Sequence, residues 1–264
     1  MRRNVRTLLL GWRRQARNIR ALMLRDLMLR FGRDNIGFAW VILEPMILTA
    51  GVMVIWSFTV GSAKGGIKAV EFVLTGYMPL TLWRHMTNSM LTLFRRSSSL
   101  LYHSSISLFD IAFAKLCLEF IGTTAALLVV WGSLNAIGVV ADVARWDLLI
   151  AGWLMMGWIA AAVGLLMAVV TEGSEISEKF VQPLQYLMIP LSGAFAMVEW
   201  LPKWAQDIIL LNPMVHCFEA FRAGYFGNSL VTHYSFGYFA ACTLVLTFCG
   251  VVAVHRVRWR VQLN

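Results

Sequence analysis

The sequence predicts an all-α, polytopic membrane protein with six transmembrane helices. An amphipathic interface helix precedes the first span, and a re-entrant pair of short helices precedes the last. Three observations carry this reading. Apolar stretches of spanning length recur along the chain, and the cleanest, Leu148 to Val170, is interrupted by no charge, Pro or Asn. The chain is 59% hydrophobic over 264 residues with mean hydropathy +0.68, which leaves no room for a soluble catalytic domain of ordinary size. Basic residues gather at the ends of the apolar stretches, mostly on one side. About 20 apolar residues cross the ~30 Å hydrocarbon core as a helix. Lipid offers the backbone no hydrogen bonds, so helices must satisfy it internally.

Residues 1–34 form the first unit. They hold ten of the 23 Lys and Arg. Trp12, Ala16, Ile19, Leu22, Met23 and Leu27 share one helical face, with Arg13, Arg14, Arg17, Arg20 and Arg25 mainly opposite. Such a helix lies in the membrane interface with anionic lipid under its arginines. The early run Leu8 to Leu10 is too short for a signal-peptide core, so the segment is expected to be retained.

The six spans occupy residues 35–264. They run from about Ile36 to Val60, Glu71 to Phe94, Ile111 to Val139, Leu148 to Val170, Phe180 to Met197, and Phe236 to His255. Flanking Lys and Arg place the N-terminus, the 95–115 segment and the C-terminus on the cytoplasmic side. The segment Thr171 to Lys179 then also lies inside, although it is acidic. Residues 200–226 are too broken for a span and too apolar for a free loop. Trp200, Trp204, Ile208 and Leu211 share a face, and Asn212-Pro213 reads as an N-cap followed by proline at the first helical position. Two such half-length helices suggest a re-entrant hairpin on the outer side, tolerated where protein or a wet cavity covers the broken backbone.

Several function classes are excluded or left without support. The net charge of +9 sits at span ends, so it reads as topology and headgroup contact rather than nucleic-acid binding. Cys117, Cys242 and Cys249 lie inside apolar stretches and Cys217 beside one, which fits buried small hydrophobes and no metal site. His216, Glu219 and Arg222 step round one side of a helix at intervals of three. No HExxH pattern accompanies them, so an internal ion pair is the simpler reading. No GxxxxGK[ST] loop occurs, so any driving ATP is bound by another chain.

Polar residues inside spans are costly and therefore informative. Tyr77, Thr81, Arg84, Asn88 and Thr92 form one stripe on the second span, with His85 beside it. A central arginine costs roughly 2.5–3.5 kcal/mol to insert, so it faces protein or a wet path. The stripe lines a path that neutralises an anion or bonds sugars, or else Arg84 pairs with a structural acid. Glu44, before the helix-bending Pro45, is one partner for Arg84 and equally a substrate contact. Lys115 and Glu119 are spaced to pair on one helix. Gln182, Gln185 and Tyr186 make a shorter polar patch on the fifth span.

Taken in order, several motifs resemble the ABC-2-type exporter permeases. They are Gly37-Phe38-Ala39-Trp40 through Glu44-Pro45, Thr75-Gly76-Tyr77-Met78-Pro79, Ser192-Gly193, Leu201-Pro202, Asn212-Pro213, and Glu219 with Arg222. Leu101-Tyr102-His103 through Asp110, then Ala114-Lys115 and Leu118-Glu119, is similar to the capsular polysaccharide export (Kps-type) branch. The chain departs from that branch at Leu108, where a proline often stands.

The resemblance implies a six-helix ABC-2-type transmembrane domain in the inner membrane, with both termini cytoplasmic. Two copies would pair around one path lined by Trp40, Glu44, Tyr77, Thr81, Arg84, His85, Asn88, Gln182, Gln185 and Tyr186. Separate cytoplasmic ATPase subunits would carry ATP and Mg, leaving no cofactor on this chain. They would dock through Ser98, Tyr102, His103, Ser105, Glu175 and Glu178. Trp204, Glu219 and Arg222 would belong to an outer gate in a periplasmic hairpin. A periplasmic adaptor and an outer-membrane channel would extend the route for a lipid-linked acidic polysaccharide. Export of O-antigen, teichoic acid or a small drug is the alternative within the class. An intramembrane enzyme using Glu44, His85, or His216 with Glu219 is the alternative outside it.

Overall fold

The computed structural model describes residues 2–31, 36–59, 67–95, 107–172 and 175–261. They are almost wholly helical, and no strand occurs among them. Nine α-helices follow one another among the described residues. These are α1 (Arg2–Phe31), α2 (Ile36–Thr59), α3 (Ala69–Leu91), α4 (Leu108–Ala136), α5 (Trp146–Val170), α6 (Glu175–Met188), α7 (Lys203–Ile209), α8 (Pro213–Phe226) and α9 (Phe236–Val261). Among the described helices α4, α5 and α9 are long and apolar enough by themselves to cross a membrane; within α2 the apolar stretch is Ile42–Trp56.

Residues 2–31 form one continuous helix, α1. Ile19, Leu22 and Met23 turn inward, and α1 packs on α4 and α2, leaving Trp12 exposed. Lys115 of α4 meets Asp26 of α1 at 3.3 Å, and Gln15 donates to Asp110 at 3.2 Å.

Helix α4 begins three residues before the expected span because Ser107 and Asp110 build a reciprocal cap. The Ser107 hydroxyl accepts from the Phe109 N–H at 3.1 Å, and the Asp110 carboxylate accepts from the Ser107 N–H at 3.1 Å. Gly138, at φ +72°, turns the chain out of α4. At this end Glu71 of α3 accepts from the Ala141 N–H at 2.9 Å. At the opposite end the Thr171 hydroxyl donates to the Leu91 carbonyl at 2.8 Å. Successive helices α3, α4 and α5 therefore run up and down between two common ends.

The fifth expected span departs most from the structure. Phe180 to Met197 is not one helix. The α-helix starts earlier, at Glu175, and stops at Met188; a 3₁₀ turn, Pro190–Ser192, follows. Gly193, at φ +85°, then sends residues 194–197 into irregular backbone. Proline and a left-handed glycine end the helix where hydropathy alone continues it.

Helix α5 is the centre of the packing and lies against α3, α8 and α9. Glycines make two of these contacts close. A side chain at Gly224 of α8 would collide with the Leu149 backbone, and one at Gly152 of α5 with the Phe221 backbone. These paired contacts set α8 antiparallel to the N-terminal half of α5. Pro213 is eleven residues before Gly224, so the start of α8 lies roughly 16 Å from that contact along the helix axis.

Candidate functional site

Two expected polar groups meet. Arg84 of α3 donates from Nη2 to the Tyr186 hydroxyl of α6 at 3.1 Å, and its guanidinium carbon lies 5.0 Å from that ring's centre. One turn along, Gln185 of α6 is buried and donates to the Thr87 hydroxyl at 3.2 Å. Tyr77 lies within electrostatic reach of both Arg84 and Tyr186. The Asn88 side-chain oxygen is buried there without a hydrogen-bond partner. Tyr186 is 56% exposed and Gln182 is exposed, so the seam opens onto a surface.

The remaining members of the set lie elsewhere. Thr81 is buried, and its hydroxyl donates to the Tyr77 carbonyl at 2.8 Å on the same helix. His85 turns the other way and stands 3.7 Å from Glu119 of α4. One residue of helix rotates a side chain by about 100°, which separates His85 from Arg84. Glu44 and Trp40 are exposed on α2. The pairing of Glu44 with Arg84 is therefore replaced by Arg84 with Tyr186. A phenol supplies an acceptor and a π face without the cost of burying a carboxylate.

Asp26 and Thr87 were missed by pattern reading. Each had a signal: Asp26 is the first acid in an arginine-rich segment, and Thr87 lies between Arg84 and Asn88. The partner in each case is distant in sequence, so spacing could not name it.

A second cluster stands along α8. Asn212 caps this helix, its side chain accepting from the Met214 N–H at 3.0 Å and donating to the Leu191 carbonyl at 2.9 Å, with Pro213 following as expected. Further along, three buried side chains hold backbone of the segments before and after α8. His216 Nδ1 accepts from the Ser235 N–H at 3.1 Å, so Nε2 carries the proton toward the Leu210 carbonyl at 3.0 Å. Glu219 accepts from the N–H groups of His233 at 2.9 Å and Val198 at 3.3 Å. Arg222 donates to the carbonyls of Gly193 at 2.7 Å, Ala194 at 2.6 Å and Ala196 at 3.2 Å, with Phe72 stacked 4.7 Å away. The Ala194 carbonyl occupies the place a side chain at Gly76 would need.

This arrangement gives the ordered motifs a common cause. Gly76, Ser192-Gly193, Asn212-Pro213 and the Glu219–Arg222 pair all serve one knot of irregular backbone. Glu219 and Arg222 bond to loops on either side of α8. Trp204 is 70% exposed on α7 and does not join them.

Comparison with known proteins agrees in both extent and kind. The ABC-2 type transporter family matches residues 17–226. The chain belongs to this family. It is 37% identical over 242 residues to the capsule polysaccharide export inner-membrane protein CtrC of Neisseria meningitidis serogroup A, covering 92% of this chain and 91% of that protein. It is 34% identical over 240 residues to BexB of Haemophilus influenzae, a protein of the same description, covering 91% of each. It is 25% identical over 265 residues to the polysialic acid transport protein KpsM of Escherichia coli, covering 96% and 98%.

In this ABC-2 chain the expected coupling residues Ser98, Tyr102, His103 and Ser105 lie outside the described residues. Glu175 and Glu178 fall in the first turn of α6, and their side chains are likewise outside the description. Nearby, burial raises the Glu172 carboxyl above its ordinary range, and the charge of Arg95 opposes that shift.

Proposed function

We propose that this chain is the permease subunit of an ATP-driven exporter that carries a lipid-linked, acidic capsular polysaccharide across the inner membrane. One observation carries the reading: relatives described as capsule polysaccharide export inner-membrane proteins match it nearly end to end. The seam at Arg84 and Tyr186 supports it, because a cation beside an exposed aromatic face suits an acidic sugar polymer.

Two copies make the path, with α3 and α6 of each contributing this seam. A separate ATPase supplies the energy, since the sequence carries no phosphate-binding loop. It docks at the segments before α4 and at the start of α6. A periplasmic adaptor and an outer-membrane channel continue the route. Helices α7 and α8 form the re-entrant outer hairpin, and its polar column satisfies backbone that lipid cannot. Together α2, α3, α4, α5, the α6 stretch and α9 supply six crossings.

Deleting the gene from its host should leave polysaccharide inside the cell and remove it from the surface. The purified chain should hydrolyse no ATP until the separate subunit is added. Normal surface polysaccharide in the deletion strain, or hydrolysis by this chain alone, would refute the assignment.

Topology has its own test. With the four native cysteines replaced, single cysteines at Asp142 and Ser229 should react with a membrane-impermeant reagent in intact spheroplasts. One at Lys179 should react only after the membrane is opened. Labelling of Lys179→Cys from outside would break the six-crossing arrangement.

A further inference from the structure

Between α1 and α4 lies an open cavity of about 700 Å³ that the transport reading does not use. Its walls are two apolar stripes at helical spacing. Trp12, Ile19 and Met23 come from α1, and Phe109, Phe113 and Leu116 from α4. None of the lining belongs to α3 or α6, so the cavity is separate from the Arg84–Tyr186 seam.

The walls are pinned on both sides. Gln15 bonds Asp110 at 3.2 Å, and Lys115 meets Asp26 at 3.3 Å. Helices fixed at two points cannot simply close the gap, and apolar walls give water too few partners to fill it well. Trp12 is 75% and Phe113 54% exposed, so the space opens outward. The charge at the opening is positive: Arg20 lines it, and Arg17 is exposed three residues earlier. Asp110 is the acid in the lining. Its carboxylate already accepts from Gln15 and from the Ser107 N–H.

We infer that this cavity binds one anionic phospholipid of the inner leaflet, with an acyl chain between α1 and α4 and its phosphate on Arg17 and Arg20. The depth fits. The cavity lies beside the first turns of α4, at the end where α3 finishes near Arg95 and α5 reaches Thr171. The lipid bridges the interface helix to the bundle and so holds α1 against α4. An interfacial helix that merely floated on the leaflet would need no such chamber.

The test uses full-length protein from cells that make no capsule, washed free of lipid in detergent. Phosphatidylglycerol or phosphatidylcholine is then added, and bound lipid is counted by native mass spectrometry. One tightly held phosphatidylglycerol per chain is expected. The double variant Arg17→Gln, Arg20→Gln should weaken it roughly tenfold or more and leave phosphatidylcholine unaffected. Ala16→Trp, which fills the cavity from an exposed position without changing charge, should abolish retention while the helical circular dichroism stays normal. Equal retention of both lipids by the unaltered protein would overturn the proposal, as would a retained phosphatidylglycerol indifferent to both variants. In capsule-producing cells, displacement of the bound lipid by the polysaccharide's own anchor would also overturn it. Retention is measured without transport, so failure here leaves the export assignment standing.

Discussion

Replacing Arg222 by Met should remove most of the protein from the membrane. The side chain is fully buried and donates to three carbonyls, those of Gly193, Ala194 and Ala196. Its loss strands those acceptors and leaves Glu219 buried without the nearby positive charge. Removing one partner from such a buried site costs about 3–5 kcal/mol, a large part of the total stability of a domain. Arg222→Lys should recover only part, because one ammonium cannot present the two-sided planar fork or lie flat over Phe72. Glu219→Gln should cost less than Arg222→Met, since one acceptor oxygen survives. Membrane abundance and thermal unfolding in detergent measure all three. An Arg222→Met protein with normal yield and normal melting would show that the knot is not needed for the fold.

Arg84→Ala should behave in the opposite way, with normal insertion and yield but failing export. Its side chain is partly buried and its guanidinium is held by Tyr186, a neutral partner, so no buried acid is left behind when it goes. An interaction of about 1.5–3 kcal/mol with an acidic group on the polymer corresponds to roughly a tenfold to hundredfold loss of rate. Arg84→Lys should keep part of the activity because the charge remains. Tyr186→Phe keeps the ring and loses only the hydroxyl, so its defect should be milder. Surface polysaccharide measured against membrane abundance separates the two outcomes. Unstable Arg84→Ala protein, or stable protein with normal export, would end the path-lining role.

Local chemistry was legible from the sequence, and distant pairing was not. Asn212-Pro213 announces a helix start because a cap and a proline act within four residues, and α8 begins there. The apolar face of α1 reads equally well, for the same local reason. The Ser107–Asp110 box is equally local, and it starts α4 three residues before hydropathy places the third span. Hydropathy carried the fifth stretch past Pro190 and Gly193 because it averages over the residues that break a helix. The choice of Tyr186 over Glu44 for Arg84 depends on how α3 and α6 are rotated against each other. No spacing rule encodes a partner 102 residues away. Likewise the interval of three found His216, Glu219 and Arg222, but not the loop backbone that they grip.

The packing around α5 has a mechanical consequence. At Gly152 and Gly224 two backbones touch directly, while the Met90 side chain of α3 packs on Gly164 of α5 and the Leu165 side chain of α5 on Gly250 of α9. Surfaces meshed at that range cannot slide without collision, so α3, α5, α8 and α9 share one set of rigid-body coordinates. Helix α6 is joined to α3 through side-chain tips, chiefly Tyr186 on Arg84 and Gln185 on Thr87. Parting those two helices breaks a couple of hydrogen bonds; parting α5 from α8 dismantles a core. A displacement that parts α6 from α3 therefore meets far less resistance than one that parts α5 from α8.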